Sequence, residues 1–134
     1  MSRVLSITIA LSLISMTAAS ALGPIGQSVA INITKATTTQ LVGPSGSTQI
    51  YVTGWDVFAS TAINIGLEYG TKTTNPCDTG AVALTGVYNF LAQSGISRSG
   101  GPEPLFVVPQ GNALCAVTSG ANVSLEGLLS YTQF

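Results

Sequence analysis

Past an apolar N-terminal stretch, hydrophobic and polar residues alternate along most of this chain, most clearly in residues 49–70, QIYVTGWDVFASTAINIGLEYG. In the second half of that stretch Ile63, Ile65, Leu67 and Tyr69 share one side, and Ala62, Asn64, Gly66 and Glu68 the other. A period of two marks a strand with one buried face. In the first half Ile50 and Val52 share a face, the phase slips by one residue, and Trp55, Val57 and Ala59 continue. Gly54 stands at the slip, where a bulge takes up the extra residue at little steric cost. The polar pair Ser60-Thr61 suits a hairpin connection. The stretch therefore predicts a long, bent hairpin with the only tryptophan on its inner face.

The flanking segments read the same way. Residues 28–34 alternate through Val29, Ile31 and Ile33, and Leu41-Val42 form a short strand before the turn GPSG at 43–46. Residues 71–79, TKTTNPCDT, predict a polar loop in which Asn75-Pro76 starts a turn. Residues 81–84 and 87–92 predict two short strands, or one strand kinked at Gly86. Residues 93–104, QSGISRSGGPEP, carry no pattern and predict an exposed loop. Residues 105–108 are apolar on both faces, as in a central strand or one covered by a partner. After a turn at 109–112, residues 113–118 make the next strand. Following a turn at 119–121, Val123, Leu125, Gly127, Leu129 and Tyr131 alternate against Asn122, Ser124, Glu126, Ser130 and Thr132. Leu128 is the one apolar residue left on the outer side of that last strand. About eight short strands with turn chemistry between them predict an all-β fold, a two-sheet antiparallel sandwich of jelly-roll type.

Residues 1–21 read as a helical secretory signal peptide. Arg3 supplies the charged start, residues 4–17 the apolar run, and Ala19-Ser20-Ala21 the cleavage site. The run falls short of the roughly 20 residues of a membrane span. Left uncleaved, it would be the one route by which the protein is held at a membrane. Residues 22–134 then form a single β-sandwich domain. This domain keeps three cations, Lys35, Lys72 and Arg98, against Asp56, Glu68, Asp78, Glu103 and Glu126, for a net charge of −2. Three dispersed cations build no phosphate-tracking patch, which argues against a nucleic-acid partner. Behind an export signal, Cys77 and Cys115 favour a disulfide, whose loop closure would contribute about 3–4 kcal/mol. In a cytoplasm the same pair would be buried thiols. The expected location is secreted, periplasmic or cell-surface, with a virion as the alternative.

Candidate chemistry is sparse. The chain has no histidine, which removes His-based acid–base catalysis, the Ser-His-Asp and Cys-His nucleophiles and most zinc sites. A glycosidase needs two carboxylates facing one sugar, whereas Asp56, Glu68 and Glu126 occupy outward positions. Asp78, Glu103 and Asn75 offer oxygen ligands on loops, but without the spaced acidic run of a calcium loop. Ser97-Arg98-Ser99-Gly100-Gly101 is glycine-rich yet does not lead from a strand into a helix, so it is no phosphate loop. The Asn32-Ile33-Thr34 and Asn122-Val123-Ser124 sequons lie within predicted strands and read as chance. No catalytic, cofactor-binding or metal-binding residue is therefore expected. Tyr51, Tyr88, Arg98 and Leu128 are the candidates for an interaction surface, while Trp55, Tyr69 and Tyr131 belong to the core.

The segments IYVTGWDVFAS, LEYGTKTTNPCDTGAVALTGVYNF, SGISRSGG, FVVPQGNALC and LEGLLSYTQF resemble small β-sandwich or jelly-roll structural proteins, of decoration or surface type, encoded by tailed phages and prophages. The resemblance runs from about residue 37 to the end of the chain. It implies a non-enzymatic subunit that self-associates, with a trimer or other ring favoured, and a capsid, tail or cell-surface partner. The export signal is a departure, because phage capsid parts assemble in the cytoplasm. The alternative expectation is a secreted carbohydrate- or surface-binding module that contacts a glycan through Tyr51, Tyr88 and residues 93–104.

Overall fold

A computed structural model describes residues 26–134, so the expected signal peptide and the start of the domain lie outside the described residues. The described residues form ten strands and no helix. In chain order they are β1 (Gln27–Ile33), β2 (Thr38–Val42), β3 (Ile50–Ala59), β4 (Ile63–Thr71), β5 (Thr79–Ala83), β6 (Tyr88–Phe90), β7 (Ser94–Ser99), β8 (Phe106–Val108), β9 (Ala113–Ser119) and β10 (Leu125–Gln133). Sheet A runs β1-β10-β3-β7, with β8 also on β3; sheet B runs β2-β9-β4-β5, with β6 also on β4. All pairings are antiparallel. Because β7 and β8 divide one edge of β3, and β5 and β6 one edge of β4, ten segments fill eight positions, four per sheet. Successive positions change sheet except at β4–β5, which is jelly-roll topology. The two-sheet sandwich read from the alternation is therefore observed.

The hairpin expected over residues 49–70 is corrected. Strands β3 and β4 lie in different sheets: β3 is flanked by β10 and by β7 with β8, and β4 by β9 and by β5 with β6. Residues 60–62 arch from one sheet to the other. Thr61 Oγ1 donates to the Asn122 carbonyl and accepts from Ser124 N at 3.1 Å, and Ser60 N donates to the Ser124 carbonyl at 3.0 Å. Those bonds fix the arch to the β9–β10 turn. An arch and a hairpin bury the same alternate residues, so the pattern alone does not separate them.

Between the sheets, Ile50, Val52, Trp55 and Val57 of β3 meet Ile65 and Leu67 of β4, with Leu114, Leu125 and Leu129 alongside. The phase slip at Gly54 is a bulge: Ser130 pairs with Gly54 and Tyr131 with Val52, leaving Thr53 as the extra residue. Trp55 lies 2% exposed, its ring tilted against Tyr88 at 5.6 Å. Its Nε1–H is buried with no acceptor among the described residues, so packing alone holds the ring.

Two further expectations change. Residues 94–99, expected in a loop, are strand β7 along β3. Only Ile96, opposite Val57, turns an apolar side chain inward, and an edge strand with one such residue shows no alternation. Residues 105–108 are not a central strand. β8 has three residues and pairs only with β3, at the sheet edge, with Val107 40% exposed beside Tyr51.

Candidate functional site

The bulge that bends β3 also opens a groove of about 360 Å³ on the outer side of sheet A. The outward positions here are Leu128 opposite Asp56, Asp56 opposite Ser97, and Ser130 and Ser99 on either side of Gly54. The 100–105 connection is anchored at the same place, with Gly100 N donating to the Thr53 carbonyl at 2.8 Å and Leu105 N to the Val52 carbonyl at 2.7 Å. Thr53, Asp56, Arg98 and the three serines line the groove, with Leu128 as its apolar wall. Such a lining can exchange hydrogen bonds with a polar ligand. With a single carboxylate it holds no acid–base pair.

Of the four expected surface residues, Arg98 and Leu128 meet in this groove. Tyr51 lies on the other side of the bulge, between Val107 and Thr132. Its ring stacks on Phe134 at 4.4 Å, and its hydroxyl donates to Gln49 Oε1 at 2.6 Å. Tyr88 is on the other sheet, its ring against Trp55 and, at 6.4 Å, Phe90 at the rim of the core. The four residues thus belong to three separate places.

The outer side of sheet B is divided. One half is covered by the loop after β4, pinned by the Cys77–Cys115 disulfide, and Cys77, Cys115 and Ala113 form a small second core there. Within the loop, the Asp78 carboxylate accepts from Asn75 N and Thr74 N at 2.8 Å and from Thr73 N at 2.7 Å. The Asn75 amide first, with those of Thr73 and Thr74, holds the Asp78 carboxyl far below the usual carboxylate range. With both its oxygens occupied by backbone donors, Asp78 is a loop clamp. Among the described residues no three of His, Cys, Asp and Glu gather to hold a metal ion.

The other half is bare. Gly66, Leu67, Ala83, Thr85, Val87 and Val117 line a mainly apolar hollow of about 190 Å³, where Gly66 contributes no side chain. Glu68 borders it, and partial burial raises its pKa. Val87 and Leu91, 67% and 77% exposed, project beside this hollow and β6. Sequence reading missed them because β6 is three residues long and leaves no alternation to follow. Phe58 is different. It falls on the outward parity of β3 after the slip, with Asp56, and could have been read off the pattern.

No family model matches the chain, and no curated protein sequence matches it. Among solved structures it is similar to a chain in the structure of infectious bursal disease virus, Gx strain, at 14% identity and a TM-score of 0.37. That likeness covers 93% of this chain and 36% of the viral one, so this chain spans about a third of the other's length. A likeness at that level carries no functional argument. The observed class of molecule is a disulfide-bonded, all-β sandwich.

Proposed function

We propose that this protein is a non-enzymatic structural subunit, exported or displayed on a virion, whose copies associate through their surfaces. The observation that carries the reading is where the exposed apolar side chains fall. On the outer side of sheet A, Phe58 and Leu128 lie on one side of the bulge and Val107 and Phe134 with Tyr51 on the other, while Val82, Val87 and Leu91 lie along the β5–β6 edge of sheet B. Grouped exposure of this kind is a mark of interaction sites. The disulfide supports an extracellular or virion setting, since such bonds persist in oxidising surroundings. Jelly rolls serve both as capsid and as lectin domains, an analogy of fold only. The test is the mass of the purified protein by light scattering, with Phe58→Ser and Leu128→Glu as the comparison. A multimer that the double variant splits is the expected result.

One observation favours a second reading, a secreted saccharide-binding module. The Gly54 groove presents hydroxyls and a carboxylate around one apolar wall, a combination suited to a polyhydroxylated ligand. Glycan-array binding that disappears with Asp56→Ala would establish it. An array without hits would retire it.

A further inference from the structure

We infer that the open edge of β5 is where a second copy of this chain pairs, strand to strand and antiparallel. The inference rests on the self-association proposed above and assigns it a place and a geometry. Every residue of β5 is exposed, the only strand of the ten described for which this holds. Its ladder is one-sided. Leu84 N donates to the Leu67 carbonyl at 2.8 Å, so the Ala83 amide, which alternates with it, points away from β4. An unpaired edge is ordinarily blunted by charge, by proline or by a bulge. Thr79-Gly80-Ala81-Val82-Ala83 carries no charge and no proline. A bulge is present, with Gly80 at φ +62° and a register shift opposite Gly70, but it lies at the start of the strand and leaves Val82 and Ala83 in regular pairing.

The side chains around this edge match that arrangement. Val82, 45% exposed, lies on the edge itself, and the hollow lined by Gly66, Ala83, Val87 and Val117 opens beside it, with Val87 67% exposed. The outer side of sheet B therefore offers both a projecting apolar group, Val87, and a recess beside it, as a self-complementary two-fold contact requires. An antiparallel pair of identical strands is related by a two-fold axis, so the same residues of each copy make the contact and the pair closes. Such a contact yields pairs and leaves the outer side of sheet A free for any larger ring.

The test combines sedimentation with amide hydrogen exchange on the full chain and on two variants, Ala83→Pro and Val82→Lys. Ala83→Pro removes an outward amide without touching the β4 ladder, and proline is tolerated on edge strands. We expect the Ala83 amide to gain protection with concentration in the wild type, and both variants to dimerise at least about tenfold more weakly. Circular dichroism should show both variants still folded. If either variant unfolds, the wild-type concentration dependence at Ala83 decides alone. A wild type that associates with the same β5 exchange at every concentration overturns the inference while leaving self-association standing. A wild type that stays monomeric removes both. Protection of β5 in a monomer would mean that another segment of the same chain covers the edge, and would also overturn it.

Discussion

Cys77 and Cys115 are bonded on the outer side of sheet B, their Cα atoms 6.4 Å apart, away from the main core between the sheets. The bond fastens a polar loop over a strand position, Cys115, that would otherwise face water. Cys77 sits at φ 54°, a left-handed conformation that costs a non-glycine residue free energy. The bond and the Asp78 clamp hold it there. Closing a loop of 38 residues' separation is worth about 3–4 kcal/mol on the chain-entropy model. The Cys77→Ser, Cys115→Ser double variant should lose about that much in urea unfolding. A loss below about 1 kcal/mol would show that the reduced chain already keeps these segments together.

Asp78 ties the stability of the fold to acid pH. Its folded pKa lies below its unfolded value, so its contribution is complete above the unfolded carboxylate range and is lost as pH falls below about 4. Glu68 has the opposite sign: burial raises its folded pKa, so it opposes folding when charged and the penalty eases as pH falls. Urea midpoints between about pH 6 and pH 2.5 should fall more steeply for the wild type than for Asp78→Asn. At neutral pH, Glu68→Gln should be no less stable than the wild type.

A side chain at Gly127 has nowhere to go. A Cβ there would collide with the Asp56 carbonyl, where β10 passes β3. Gly127→Ala should cost about 1–3 kcal/mol in the unfolding free energy, although alanine ordinarily suits a strand better than glycine. An unchanged midpoint would mean that the two strands separate there at no cost.

Thr118 is the one buried polar residue among those described, 4% exposed. Its hydroxyl donates toward the Lys35 and Thr37 carbonyls at 3.0 and 3.1 Å and accepts from Thr37 N at 3.3 Å. It thereby fastens the β1–β2 connection to β9. Thr118→Val keeps the shape and strands those backbone groups, so a loss of about 1–3 kcal/mol is expected. Thr118→Ser should recover most of it.

Much of the fold could be read from the alternation. The Gly54 slip became a bulge, Leu128 faces outward, and the two cysteines are bonded. What could not be read is which sheet each strand joins. Ile50 to Leu67 show the same periodicity whether the chain turns back on itself or arches over, because burial records the face and not the neighbour. β7 escaped notice because an edge strand with Ile96 alone turned inward has no repeat. Of the candidate surface, Arg98 and Leu128 come together through pairing with β3, a long-range fact. Tyr51 and Tyr88 were picked out as aromatic residues, yet Phe134 covers one and Trp55 the other. Val87 and Leu91 lie beside a three-residue strand, too short to carry a pattern.

Sedimentation velocity of the purified protein from about 1 to 100 µM tests most directly whether it works by associating with itself. A sedimentation coefficient that climbs with concentration to that of a pair or larger ring is the predicted result. A constant monomer value across the whole range would contradict it.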